Sequence, residues 1–302
     1  MADRREFDVI IIGGSYAGLS AAMALGRALR QVLIIDGGKP CNRQTPHSHN
    51  FITHDGETPS AISKKAKEQV MRYPTVTFTN GIAMSGKKLE GKFQIDINSG
   101  QSFHAKKLLF TTGLNDIMPS IEGFAECWGI SVLHCPYCHG YEVRNETTGI
   151  IANGDMGFEM ARLIDHWTKD LTLFTNGLSS LTSDQVQKIQ SHNIRIIETG
   201  IDRIEHDNGY VKFLHLKDGE RIALKAIYAR PAFTQHCAIP RDLGCELTEQ
   251  NLLKVDTFQR TTIAGIYAAG DNTVLMRSVS LAVAGGGFAG ASINKELIEE
   301  VF

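Results

Sequence analysis

The sequence predicts an α/β protein with two Rossmann-like βαβ units, each followed by antiparallel hairpins. The first observation is an apolar run at 9–12, followed by a glycine-rich turn, a stretch with helical periodicity and a second apolar run at 32–35. Continuous apolar runs of this kind are typical of strands buried on both faces of a parallel sheet. The second observation is that the same order of pieces returns from residue 150 onwards. We therefore expect two three-layer domains, each with a parallel sheet and an antiparallel β-meander.

Alternating patterns place one set of hairpins after each βαβ unit. In the first unit, residues 93–97 alternate between apolar and polar side chains, and a Ser-Gly turn follows at 99–100. In the second unit, residues 210–214 alternate before an Asp-Gly turn at 218–219. Alternation bounded by turn residues predicts half-buried antiparallel strands.

The last part of the chain breaks the repeat. A strand at 265–271 and a helix at 279–299 follow the second set of hairpins. We expect them to return to the first domain, which would then be discontinuous. The predicted boundaries are 1–114 and 247–302 for the first domain and 115–246 for the domain inserted in it.

The composition excludes several classes of protein. The chain has 302 residues and a net charge of −2, so it lacks the basic field that binds nucleic acid or an anionic membrane. It has no apolar stretch long enough to span a bilayer, and its charged start lacks the apolar segment of a signal peptide. We therefore expect a cytoplasmic protein. Because thiols stay reduced there, the six cysteines are not expected to form a disulfide framework.

The first glycine-rich turn has the pattern of a dinucleotide-binding loop. Gly13 and Gly18 stand at the first and third glycine positions, and Ser15 replaces the second. Such a loop brings the backbone and a helix N-terminus close to a pyrophosphate. Asp36 ends the next strand, where a carboxylate accepts hydrogen bonds from ribose. With strand, helix, strand and acid in this order, dinucleotide binding is favoured over a simple tight turn.

Cys135 and Cys138 form a C-x-x-C pair followed by His139. A pair with this spacing can close a small disulfide and can carry a reactive thiolate. A zinc site would need two further ligands at metal spacing, and the sequence has no second C-x-x-C, so we expect no metal. Two buried structural thiols are the remaining alternative. Redox chemistry is favoured because the pair shares a chain with a dinucleotide loop.

The second glycine-rich turn departs from the pattern. Ala152 replaces the first glycine, while Gly154 and Gly157 remain. No carboxylate ends the strand that follows, and no arginine or lysine lies between 171 and 187. The sequence therefore leaves two alternatives open, a nicotinamide site and a βαβ unit that no longer binds a nucleotide well.

Two weaker signals remain. Gly270 and Asp271 leave a strand beside a predicted helix start, where a carboxylate could bind ribityl or ribose hydroxyls. His47, His49 and His54 lie in a polar loop after the first βαβ unit. They could line a ligand site or belong to a solvated loop.

Together these features resemble the low-molecular-weight thioredoxin reductase family. The resemblance covers nearly the whole chain and includes the first glycine loop, the Thr112-Gly113 turn, the C-x-x-C pair in an inserted domain and the final Ala-Gly-Asp at 269–271. The form Cys-Pro-Tyr-Cys-His-Gly is similar to the branch that contains the gliotoxin- and holomycin-type dithiol oxidases. The fold implied is that of a flavoprotein with two dinucleotide-binding domains.

The resemblance implies an FAD site in the first domain and a homodimer. The implied FAD-binding residues are Gly13, Ser15, Ala17, Gly18, Asp36, Gly37, Lys39, Asn42, Arg43, His49, Asn50, Ala83, Thr112, Gly113, Gly270, Asp271, Ser278 and Val279. It also implies that Cys138 faces the flavin and that Cys135 exchanges with the substrate. His139 stands where thioredoxin reductases have an acidic residue, and imidazole can transfer protons near neutral pH.

The family's residues for the NADPH phosphate are missing, because Thr175-Asn176-Gly177 stands in their place. NADPH is therefore an uncertain cofactor. The leading hypothesis is an FAD-dependent thiol–disulfide oxidoreductase whose partner is a thioredoxin-like protein or a small dithiol or disulfide. The alternatives are a dithiol oxidase that passes electrons to oxygen, a non-catalytic flavin redox sensor, and a nicotinamide-only dehydrogenase.

Overall fold

The computed structural model describes residues 5–302. The strands are β1 (Glu6–Ile12), β2 (Val32–Asp36), β3 (Val76–Asn80), β4 (Ala83–Leu89), β5 (Lys92–Ile97), β6 (Ser102–Phe110), β7 (Leu114–Asp116), β8 (Val132–Leu133), β9 (Thr148–Ile151), β10 (Leu171–Phe174), β11 (Arg195–Ile197), β12 (Ile201–Asp207), β13 (Tyr210–Leu216), β14 (Arg221–Ala223), β15 (Ala226–Ala229), β16 (Phe233–Gln235) and β17 (Ile266–Ala268). The helices are α1 (Tyr16–Arg27), α2 (Pro59–Val70), α3 (Phe124–Cys127), α4 (Pro136–His139), α5 (Gly154–Ile164), α6 (Ser183–Ser191), α7 (Ile239–Asp242) and α8 (Val279–Glu299). No helix of residues 5–302 combines the length and the apolar character that crossing a membrane requires.

The chain divides into two compact units. Unit 1 contains the residues up to Arg43 together with Pro59–Asn115 and Phe233–Phe302, and unit 2 contains Gln44–Thr58 and Asp116–Ala232. Both units are thus made of more than one segment of the chain.

This division differs from the predicted boundaries at two places. The predicted boundary at 246 lies too late, because Ile239 and Cys245 are buried in the core of unit 1 against residues of β5 and β6. The segment 44–58 follows the first βαβ unit in sequence but belongs to unit 2. Neither difference has a local sequence signal, since each depends on packing between segments far apart in the chain.

The sheet of unit 1 has a parallel part and an antiparallel part. Strands β3, β2, β1 and β6 are parallel neighbours, and β17 pairs in parallel with the last residues of β6. The first half of β6 continues instead into the antiparallel meander β6-β5-β4. One long strand therefore joins the nucleotide-binding sheet to the hairpins that the alternating pattern predicted.

Unit 1 has three layers because both faces of its parallel sheet are covered. Val9 and Ile11 pack with α1 and α8, whereas Ile10 and Ile12 pack with the meander. All four are buried, and complete burial of such a side chain stabilises the fold by roughly 1.5–3 kcal/mol. The uninterrupted apolar run of β1 follows from this two-sided burial.

Unit 2 repeats the plan with a shorter sheet. Strands β11, β10, β9, β15 and β8 are all parallel neighbours. Residues from α5 and α6 form the core on one face, and residues from the separate antiparallel sheet β12-β13-β14 form the core on the other. Two Rossmann-like three-layer domains, each with an antiparallel meander, confirm the predicted fold class.

Candidate functional site

The first glycine loop is a tight turn between β1 and α1. Gly13 has a φ of +106°, and the Thr111 hydroxyl donates a 2.7 Å hydrogen bond to its carbonyl oxygen. A Cβ atom on Gly18 would lie 1.9 Å from the same oxygen. Glycine is therefore required at both positions, as a loop that approaches a pyrophosphate demands. Thr111 was not singled out from the sequence, although a hydroxyl at the end of β6 is a signal that could have identified it.

The N-terminus of α1 is open for an anion. Among the residues that the structure describes, its N-cap Ser15 makes no side-chain capping hydrogen bond, and its first turn carries no acidic residue. The backbone N–H groups and the helix dipole at such an end favour phosphate. Asp36, at the end of β2, accepts hydrogen bonds from the backbone N–H groups of Gly14 at 2.9 Å and Gly38 at 3.1 Å. These contacts hold the carboxylate beside the loop.

Most of the other predicted FAD-binding residues of unit 1 come after the carboxyl ends of its parallel strands, and Ala83 begins the first strand of the meander. Gly113 follows β6 with a φ of +64°, and Gly270 follows β17 with a φ of +92°. Helix α8 begins at Val279, as predicted, and its N-cap Ser278 accepts a hydrogen bond from the N–H of Leu281. A Cβ atom on Gly286 would lie 2.0 Å from the carbonyl oxygen of Ala17, so α8 lies directly against the start of α1.

The structure places most of the predicted FAD-binding residues in one unit. Those in unit 1 are Gly13, Ser15, Ala17, Gly18, Asp36, Gly37, Lys39, Asn42, Arg43, Ala83, Thr112, Gly113, Gly270, Asp271, Ser278 and Val279. His49 and Asn50 lie in unit 2, and their contact with the flavin remains a prediction.

These residues fit FAD. The open helix end suits a pyrophosphate and the positioned carboxylate of Asp36 suits a ribose. The hydroxyl oxygen of Thr112 is buried and has no hydrogen-bond partner among residues 5–302. A buried polar atom of this kind calls for a partner, and a bound cofactor would supply one.

The second glycine loop, in contrast, is closed by its own chain. The Asn153 side-chain oxygen accepts hydrogen bonds from the N–H groups of Gly154 at 2.8 Å and Ser180 at 2.9 Å. The Asn153 side-chain amide donates to the carbonyl oxygen of Leu178 at 2.9 Å. A Cβ atom on Gly154 would lie 2.8 Å from the Ser180 hydroxyl oxygen. Hydrogen bonds to Asn153 therefore hold the segment after β10 at the position where a phosphate would approach the backbone.

The first turn of α5 also opposes an anion. Asp155 lies in that turn and accepts a 2.8 Å hydrogen bond from the side chain of Gln185. A carboxylate beside the amide groups competes with phosphate for the same positive helix end. The sequence showed that phosphate-binding cations are missing here, but the closure by Asn153 and Ser180 was not foreseen, because it depends on a long-range contact.

Cys135 and Cys138 form a disulfide with a Cα–Cα distance of 5.4 Å. Cys135 is the N-cap of the short helix α4, and Pro136 stands at its first position. A Cβ atom on Gly140 would lie 2.8 Å from the indole of Trp167, whose ring meets Tyr137 edge-on at 5.5 Å. The disulfide thus lies on a helix that aromatic packing holds in place.

Trp167 was missed as a contributor to this site. Helix α5 ends at Ile164, and the chain then turns. That turn brings the indole against Gly140. The strict need for a small residue after His139 is the signal that could have indicated a close neighbour.

His139, next to the disulfide, is a half-buried imidazole. Burial, and secondarily the nearby His49, lower the pKa of His139 to about 4. The two rings are 6.4 Å apart and perpendicular. At neutral pH His139 is therefore uncharged, which leaves it able to accept a proton.

The other four cysteines are not arranged for catalysis or for a metal. Burial raises the pKa of Cys127 to about 11, and it also raises the pKa of Cys237 and Cys245. Cys41 is exposed. Within residues 5–302, no three histidine, cysteine or acidic side chains group in a way that could hold a metal ion.

Comparison with known proteins agrees with this geometry. The sequence matches the family described as pyridine nucleotide-disulphide oxidoreductase over residues 7–286. It is 29% identical to thioredoxin reductase tcpT of Claviceps purpurea over 318 residues, covering 100% of this chain and 97% of that protein.

Two solved structures are similar over nearly the whole chain. One is an oxidoreductase from Agrobacterium tumefaciens, with 37% identity, a TM-score of 0.92 and coverage of 97% of this chain and 99% of that chain. The other is a putative thioredoxin reductase, TrxB, from Bacillus anthracis, with 31% identity, a TM-score of 0.94 and coverage of 98% and 100%. The chain therefore belongs to the pyridine nucleotide-disulphide oxidoreductase family, as an FAD-dependent disulfide oxidoreductase of the thioredoxin reductase-like type.

Proposed function

We propose that this enzyme oxidises small dithiols through the Cys135–Cys138 disulfide without using NADPH. The observation that carries the proposal is the closed second glycine loop, in which Asn153 and Ser180 bond to each other over Gly154. Opening that loop for a nucleotide would break several hydrogen bonds, each worth roughly 0.5–1.5 kcal/mol. In the first loop, by contrast, the Ser15 side chain makes no capping hydrogen bond with any residue of 5–302.

The two cysteines have different tasks in the proposed reaction. A substrate thiolate attacks the Cys135 sulfur, the Cys135–Cys138 bond breaks, and the Cys138 thiolate leaves. The second substrate thiol then displaces Cys135, which gives the substrate disulfide and a reduced cysteine pair. FAD, when bound, supplies the chemistry that accepts the two electrons of that pair and passes them to oxygen.

A direct comparison of electron donors tests the proposal. The purified yellow protein is mixed anaerobically with NADPH, NADH or dithiothreitol, and the flavin absorption band is followed. We expect dithiothreitol to bleach the band within seconds to minutes and both nicotinamides to leave it unchanged. Rapid bleaching by NADPH would overturn the proposal in favour of an NADPH-dependent reductase, the function that the names of several relatives suggest.

A variant separates catalysis from passive redox sensing. Replacing Cys135 with serine removes the exchanging thiol and leaves Cys138 in place. We expect dithiothreitol-dependent oxygen consumption to fall to background while the flavin content stays normal. If the parent enzyme itself consumes no oxygen with any dithiol, the sensor hypothesis is favoured instead.

We further propose a cytoplasmic homodimer. Unit 1 exposes a stacked pair of aromatic rings, Phe258 and Phe288, whose centroids are 6.2 Å apart. Leu275 and Met276 are exposed as well, and exposed apolar groups of this kind are typical of a protein contact. Light scattering after size exclusion would report twice the 33.2 kDa chain mass for a dimer and the single mass if the proposal is wrong.

A further inference from the structure

The segment Gln44–Thr58, here named the histidine loop, is fixed within unit 2. Its backbone closes on itself, because Ser48 donates to the carbonyl oxygen of Glu57 at 2.8 Å and accepts from Gly56 at 2.9 Å. Its first residue, Gln44, donates a side-chain hydrogen bond to the carbonyl oxygen of Trp128. The loop is therefore a defined part of the unit that carries the disulfide.

Within the histidine loop, His49 lies beside His139, the last residue of α4. Its ring lies 6.4 Å from that of His139, edge-on. Its Nδ1 atom is 3.6 Å from a carboxylate oxygen of Glu142 and 3.7 Å from one of Asp55. Two acidic side chains that approach the same ring nitrogen thus help to fix the imidazole next to His139.

The backbone around His49 carries strain of a kind that persists at functional sites. Asn50 has a φ of +58° and donates its N–H to Asp55 at 2.7 Å. Thr53 has a φ of +73°, an unfavourable conformation for a β-branched residue. Such conformations cost roughly 1–3 kcal/mol each and are retained where the surrounding structure requires them.

We propose that His49 is a positioning residue that holds the His139 ring in place to take the proton of an incoming thiol. The inference rests on the proposed dithiol oxidation and adds a residue to it. The edge-on contact between the two rings lets His49 influence both the orientation and the electrostatic surroundings of His139. His49 therefore acts through His139 and need not touch the substrate.

The proton balance of the step is simple. The substrate thiol gives its proton to the His139 ring as its sulfur bonds to Cys135, and the Cys138 thiolate leaves. The imidazolium then returns the proton to the Cys138 thiolate or to water. No oxidant beyond the disulfide is needed for this half-reaction.

The pH dependence of the step depends on the groups around the two rings. Those facing them in unit 2 are His47, Asp55 and Glu142, and Glu142 in turn interacts electrostatically with Tyr228. With the pKa of His139 at about 4, its neutral form prevails across pH 5–8. Removing His49 takes away one of the two causes of that low value, so more His139 becomes protonated at pH 5 and little changes at pH 8.

A single-turnover experiment tests this inference. The oxidised holoenzyme is mixed anaerobically with dithiothreitol at pH 5 and at pH 8, and acid-quenched samples are assayed for new protein thiols. We expect His49→Asn to slow reduction by about twofold at pH 5 and by a clearly smaller factor at pH 8, because burial, the larger cause of the low pKa of His139, is kept in the variant. The matched control is His54→Asn, because the His54 side chain packs on Phe51 and hydrogen-bonds to Thr53; this variant should match the parent at both pH values.

The comparison of the two pH values distinguishes positioning from general damage. Equal losses at both pH values in His49→Asn, or no loss at either, would overturn the inference. If the parent disulfide is not reduced by dithiothreitol at either pH, the proposed function itself fails.

Discussion

Replacing Gly18 with alanine should remove the flavin from this enzyme. The new Cβ atom would lie 1.9 Å from the carbonyl oxygen of Gly13, about 1.4 Å closer than the shortest ordinary C···O contacts. The obstacle is backbone, so the turn itself has to move. Overpacking of this kind costs about 1–3 kcal/mol, and the displaced loop can no longer bring its backbone to the pyrophosphate.

The corresponding position of the second loop provides a matched control. A Cβ atom on Gly157 would lie 3.2 Å from the carbonyl oxygen of Ala152, which a shift of a few tenths of an ångström relieves. Alanine also favours the helix over glycine by roughly 0.5–1 kcal/mol. We therefore expect Gly157→Ala to keep both its stability within about 1 kcal/mol and its dithiol oxidase activity, because the second loop binds no nucleotide in the proposed mechanism.

Both variants are assayed by the ratio of flavin to protein absorbance after purification and by titration of the apoprotein with FAD. We expect Gly18→Ala to bind FAD at least tenfold more weakly, a difference of about 1.4 kcal/mol, and Gly157→Ala to match the parent. Full flavin occupancy in Gly18→Ala would refute the assignment of the first loop. Loss of activity in Gly157→Ala would contradict the proposal that the second loop binds no nucleotide.

Three further predictions concern the packing around the two sites. Lys107 is buried against Glu296, so Lys107→Met should lower the free energy of unfolding, measured with urea, by about 3 kcal/mol. Lys295→Met removes one partner of an exposed ion pair and should change that free energy by less than about 0.5 kcal/mol. Equal effects of the two substitutions would contradict a stabilising role of the buried pair. Gly140→Ala places a Cβ 2.8 Å from the Trp167 indole, so it should change tryptophan fluorescence and slow reduction of the disulfide by dithiothreitol; an unaltered spectrum and rate would exclude the contact. The pKa of His139 falls from 6.5 to about 4 on folding, so the unfolded chain binds more protons than the folded chain between those pH values. The free energy of unfolding therefore decreases as pH falls through that range, by up to about 3 kcal/mol. His139→Asn should lack this pH-dependent loss when melting temperatures of variant and parent are compared across the same pH range.

The first glycine loop could be predicted from sequence because its determinants are local. Strand, turn, helix and Asp36 follow one another within 36 residues, and each has its own pattern. The C-x-x-C pair likewise needs only a short spacing to close a disulfide. Sequence periodicity also fixes the two-sided burial of β1, and so the fold class.

The remaining features depend on contacts that no short pattern encodes. The closure of the second loop joins Asn153 to Ser180 across a strand. The place of His49 depends on a segment that follows the first βαβ unit in sequence but belongs to unit 2. The early end of unit 2 depends on Ile239, which is buried in the core of unit 1. In each case the position of the residue is set by packing between segments that are distant in the chain, and neither residue propensity nor periodicity predicts such packing.

The histidine loop has a consequence for recombination between relatives of this enzyme. A fragment limited to 116–232 would contain the disulfide and His139 but would lack His49, because 44–58 is encoded between two segments of unit 1. A chimaera that exchanges only the contiguous segment 116–232 would therefore pair α4 of one parent with the histidine loop of the other parent. Two separate stretches of the gene have to be transferred together if His49 and His139 are to come from the same parent.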